Sequence, residues 1–131
     1  MELSVPIIAD INHIDRRIHS VAFGRVTSED VDHHLKLERH FNGLLYPEII
    51  DARAANVDLT SDEVRTIVAL VREMSVENKF GPTAVIVSTD AEFGVIRMLE
   101  ALLDDVAAVS PCRSEAEART WLSQRQEPYK S

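Results

Sequence analysis

The sequence predicts an α/β fold: a single mixed β-sheet, opened by an antiparallel hairpin and continued by parallel strands, packed with about four helices. Three observations lead there. Apolar patterning switches repeatedly between the two-residue period of strands and the 3.6-residue period of helices. Four times a hydroxyl residue stands three positions before an acid where a helix is due to begin: Thr27 and Asp30, Thr60 and Glu63, Thr89 and Glu92, Ser114 and Glu117. Strands separated by whole helices pair in parallel through right-handed crossovers, whereas strands joined by a short polar turn pair antiparallel.

Residues 6–14 (PIIADINHI) and 18–26 (IHSVAFGRV) are β-type runs flanking Asp15-Arg16-Arg17, a polar joint short enough for a hairpin. Ile7, Ala9 and Ile11 alternate with Ile8, Asp10 and Asn12, as in a strand with one wetter face. Thr27-Ser28-Glu29-Asp30 then leads into a helix reaching about Phe41, stopped at Asn42-Gly43 because glycine tolerates the left-handed conformation that ends helices. Residues 47–52 (PEIIDA) form a third strand. Val64, Ile67, Val68, Val71 and Met74 make a narrow stripe on one face of the next helix, which Asn78 and Gly81-Pro82 break. The run 83–89 (TAVIVST) is apolar and β-branched, as expected of a strand covered on both faces. A helix over about 91–103, a short strand over 106–110 and a helix over 115–122 complete the order. Residues 124–131 are polar and read as a frayed tail on a single domain, 1–131, with its core over about 5–123.

Composition narrows the function classes. A length of 131 residues suits one domain with a real core. The net charge of -8 repels phosphate backbones and anionic lipid heads, so no nucleic-acid partner and no membrane-surface role is expected. A lone cysteine, Cys112, excludes an internal disulfide and favours a reducing compartment. No run approaches the ~20 apolar residues of a membrane span. The start MELSVPIIAD has acid where an export signal needs base, and the expected location is the cytoplasm.

The four hydroxyl–acid pairs match the capping box, in which the hydroxyl accepts a backbone N–H and the acid reaches back. Thr60 is therefore read as a helix N-cap, and Ser61 as a polar first-turn residue. Their regulatory alternative is phosphorylation, since a helix N-terminus tolerates added negative charge.

EIIDARAANVDLTSDEVRTIVAL, TAVIVSTDAEFGVIRMLEALL and SEAEARTWL, in this element order, resemble a STAS-type domain, and among those the small bacterial SpoIIAA-like proteins, relatives also grouped with lipid-binding SEC14-type domains. The resemblance spans about residues 5–122 and implies a STAS-like fold. Antagonist-type members carry an Asp-Ser-Ser-Gly-like motif whose serine a partner kinase phosphorylates. The matching positions here are Leu59-Thr60-Ser61-Asp62, without the leading aspartate or the closing glycine. The resemblance thus supports the fold and weakens a phospho-switch.

Other chemistry is sparse. His34 and Glu38 lie at i, i+4, a spacing able to hold a metal, yet no HExxH or CxxC accompanies them. A hydrogen-bonded pair turned toward Val31, Phe41 and Leu45 is the expectation, with no metal and no cofactor. His19 is read as structural or surface, and Cys112 as an inert loop thiol with no triad around it. On the third helix, Val95, Ile96, Met98, Leu99, Leu102 and Leu103 cover nearly half the circumference, against ~100° for a typical core-facing stripe. Val95, Met98 and Leu102 are the candidate apolar patch for a second chain or an acyl ligand. The expected function is a non-catalytic interaction or regulatory module with an unknown protein partner, possible as a homodimer. The rival is a carrier or sensor of a small apolar ligand or lipid, and a third alternative is an unrecognised hydrolase. An interaction module should have a filled core and an exposed patch, and a carrier should have an apolar cavity.

Overall fold

Strands β1 (Ile7–Asn12), β2 (Arg17–Arg25), β3 (Glu48–Asn56), β4 (Thr83–Ile86) and β5 (Val109–Cys112) form one sheet in that same spatial order. A computed structural model describes residues 6–126. β1 pairs β2 antiparallel and the other neighbours pair in parallel. Every parallel crossover steps one strand in the same direction, so right-handedness puts α1 (Ser28–His40), α2 (Ser61–Met74) and α3 (Asp90–Leu102) on one face. The final helix α4 (Glu115–Gln126) covers the other face. There Ala118, Trp121 and Leu122 pack on Ile49, Ala84, Ile86 and Cys112. The larger core lies beneath α1–α3 and holds Ala22, Ala52, Val64, Val85, Ile96 and Leu99.

The fold is the predicted one, with shifted boundaries. β3 runs four residues past the predicted end at 52, because the long β2 offers it partners as far as Arg25, across an irregularity between Val21 and Phe23. β4 stops at Ile86 since Thr89 is already spent as the cap of α3. The last strand is 109–112, not 106–110: the Val106 and Ala107 amides turn back to the Leu103 carbonyl at 2.9 and 2.8 Å. Cys112 is consequently a buried strand residue rather than a loop thiol. α4 continues to Gln126, so residues 124–126 are helical, while Val5 and 127–131 lie outside the described residues.

Three of the four expected capping boxes are complete, at Thr27, Thr60 and Thr89. The fourth is half formed. Ser114 Oγ accepts the Glu117 amide at 3.2 Å, but Glu117 Oε1 accepts from the Arg113 amide at 2.7 Å. After α1 the left-handed residue is Asn42 (φ 60), not Gly43, whose lack of a side chain instead leaves room for Ile18. Gly81 is required for close approach: a Cβ there would fall on the Leu45 and Tyr46 carbonyl oxygens.

Candidate functional site

The alternation of each strand decides what faces α1–α3. Ala22 on β2, Ala52 on β3 and Val85 on β4 point that way, and none is large enough to meet the helices fully. Ile67 from α2 and Ile96 and Leu99 from α3 come down around them and leave a cavity of about 140 Å3. Native cores rarely keep a void much larger than a water molecule. The wall is apolar except for Thr83 at the start of β4 and, where β3 begins, His34 and Glu48.

These two residues belong to a buried polar cluster. α1 presents His34 and Glu38 one turn apart, β3 contributes its first residue, Glu48, and β2 contributes Ser20. His34, Glu38 and Glu48 are 4%, 3% and 3% exposed. His34 Nε2 lies 2.8 Å from Glu48 Oε2, which also accepts the Ser20 hydroxyl at 2.7 Å. Among the described residues, Glu38 Oε2, 3.1 Å from the same Nε2, makes no hydrogen bond, and His34 Nδ1 is likewise unpartnered.

Two carboxylates competing for one imidazole must share charge unequally. Burial disfavours the His34 imidazolium, but the adjacent carboxyl groups of Glu38 and Glu48 outweigh it and raise its pKa to about 10. Burial drives Glu38 up to about 8, only partly opposed by His34. Glu48 is pushed up by burial too, yet the hydrogen bonds it accepts hold it below the ordinary glutamate value. Near neutral pH the cluster is therefore an imidazolium–carboxylate pair beside a neutral acid. Its net charge is zero, which is what an apolar core tolerates.

His34 and Glu38 lie side by side as expected but without the expected hydrogen bond, and their surroundings differ too, since Phe41 and Leu45 are exposed and do not cover them. Glu48 was not foreseen. The available signal was parity: Ile50 and Ala52 face the larger core, so an acid at 48 had to point the same way. His19, read as structural or surface, is half-buried on the opposite face, with Nε2 3.3 Å from Glu115. Burial raises the pKa of Cys112, the reverse of what a nucleophile needs.

The remaining candidates lie elsewhere. Ser61 is exposed at the first position of α2, beside Asp62, which pairs with Arg65. The predicted patch divides. Val95, at 9% exposure, is core, whereas Met98 and Leu102, at 46% and 44%, stand outward one turn apart. No helix among the described residues is long and apolar enough to cross a membrane.

No protein-family model and no curated protein matches the chain. Among solved structures it is similar to an uncharacterised protein of the DUF3478 family with a SpoIIAA-like fold from Shewanella loihica. The two share 18% identity at a TM-score of 0.59, over 93% of this chain and 98% of that one. Sheet order, crossovers and this likeness agree: the chain has a SpoIIAA-like, STAS-type fold.

Proposed function

We propose that this chain is a binding module rather than an enzyme, and that it takes a small, mostly apolar molecule into the cavity beneath α1–α3. One observation carries the reading: a void of about 140 Å3 in a core that close packing would otherwise fill. An engineered apolar cavity of about 150 Å3 stays dry and binds benzene or xenon. A ligand here would restore the dispersion contacts that Ala22 and Ala52 leave unmade. The carrier class is also what the resemblance to lipid-binding SEC14-type domains implies. Benzene titrated into isotopically labelled protein should shift the resonances of Val85, Ile96 and Leu99. Ala22→Leu, which fills the void, should abolish the response. A wild type that shows no shift at saturating benzene would remove the reading.

Protein interaction, including self-association as a homodimer, is the second reading. Met98 and Leu102 favour it, because two large apolar side chains one turn apart on the outer side of α3 are nearly half exposed.

A further inference from the structure

We propose that His34, Glu38 and Glu48 form a binding site for one divalent transition-metal ion, zinc foremost. Such a site goes beyond the cavity reading and would exist whether or not an organic ligand ever enters. An imidazole nitrogen and two carboxylate oxygens, from one turn of α1 and the first residue of β3, lie within 4.8 Å of one another. His34 Nε2 is 2.8 Å from the Glu48 oxygen and 3.1 Å from the Glu38 oxygen. Two donors held about 2.0–2.1 Å from a tetrahedral ion sit roughly 3.4 Å apart, so the cluster need open by only about half an ångström.

Glu38 gives an independent sign. Its Oε2 is buried, directed at His34, and without a hydrogen-bond partner among the described residues. Native structures rarely leave such an atom unsatisfied, and an ion would satisfy it. Two carboxylates also cancel a dication, so the filled site would carry no net charge into the core. A mixed nitrogen and oxygen set suits zinc, cobalt or manganese, whereas calcium and magnesium seek more oxygens than three side chains offer. Ser20, donating to Glu48 at 2.7 Å, is the outer support such ligands usually have. With three protein donors the coordination shell stays open, and the cavity that His34 and Glu48 line is where a fourth ligand would sit.

The test uses the whole chain, stripped with chelator and titrated with zinc and, separately, cobalt. Wild type should take up one ion per chain. Its melting temperature should rise by on the order of 10 °C at a hundredfold excess over Kd. Cobalt should give the visible absorption of a low-coordinate nitrogen–oxygen site. Glu48→Gln, close in shape to the native side chain, should weaken uptake by more than about a hundredfold, and Ser20→Ala by about tenfold to a hundredfold. The double variant His33→Asn, His40→Asn, which alters exposed histidines only, should bind like wild type. Should Glu48→Gln fail to fold by circular dichroism, Glu38→Gln replaces it. No uptake by folded wild type overturns the proposal. So does uptake that survives loss of Glu48 or Glu38, or that disappears with His33 and His40.

Discussion

Glu92 Oε2 accepts the backbone N–H of Val57 at 2.9 Å, tying the start of α3 to the chain leaving β3, 35 residues earlier. The same carboxylate closes the capping box at Thr89 through Oε1. Burial raises its pKa, but the hydrogen bonds from Val57 and Thr89 prevail and the net shift is downward. A carboxyl depressed on folding contributes stability that is present above its unfolded value, 4.5, and lost as pH falls through the folded one. Glu92→Gln should therefore cost about 1–3 kcal/mol at pH 7, since an amide cannot accept all of these bonds. The gap to wild type should narrow at acid pH. Urea unfolding at pH 7 and near pH 4 measures both, and a gap that widens on acidification contradicts the assignment.

Thr60 and Ser61 are adjacent hydroxyls with separate roles. Thr60 Oγ1 accepts the Glu63 amide at 3.1 Å, and Glu63 Oε1 accepts the Thr60 amide at 3.0 Å. Thr60→Ala should cost about 1 kcal/mol, and Thr60→Asp should be nearly neutral because aspartate caps as well. Ser61→Ala should stay within about ±0.5 kcal/mol, and Ser61→Asp should be tolerated. Equilibrium unfolding of the four variants tests this. A phosphate mapped to either residue by mass spectrometry would instead establish the switch that the sequence departs from.

The division of the α3 patch separates core from surface by experiment. Met98→Glu and Leu102→Glu should keep the circular dichroism of wild type, whereas Val95→Glu should unfold the domain by burying an unpaired charge. If Met98 and Leu102 form an interface, light scattering will show both variants shifted toward monomer. An unchanged mass would end the homodimer reading for this face.

Two glycines should respond oppositely to the same methyl group. Gly81→Ala should cost at least about 2 kcal/mol, because the Leu45 and Tyr46 carbonyls occupy the space a Cβ needs. Gly94→Ala, in α3 with open space around it, should gain up to about 1 kcal/mol. Thermal melts of the pair decide it, and equal effects would mean that the Leu45 and Tyr46 carbonyls leave room for a side chain at Gly81.

What could be read from the sequence was what is local. A cap needs four consecutive residues, so Thr27, Thr60 and Thr89 announced their helices, and the α2 stripe from Val64 to Met74 named the face it buries. Ser114 failed by one residue because Arg113, just upstream, offers its amide to the same acid. The cluster was half visible: His34 and Glu38 share a helical turn, while Glu48 comes from the next strand and meets them only when α1 folds over β3. The cavity had no sequence signature, for a void is a property of how three helices rest on alanines, not of any segment. Met98 and Leu102 were grouped with Val95 because helical spacing alone cannot say where the neighbouring sheet ends.

The strands lie across the sheet in the order in which they are synthesised. Each can therefore dock on an edge that already exists when it leaves the ribosome, without waiting for a distant segment or displacing an earlier one. Loop-closure entropy stays modest at each step, which favours rapid folding for a largely parallel sheet. The cost falls on the growing edge: until β5 and α4 arrive, β4 presents Ala84 and Ile86 unprotected to whatever else is in solution. A nascent chain paused before residue 109 would be the form of this protein most prone to aggregate.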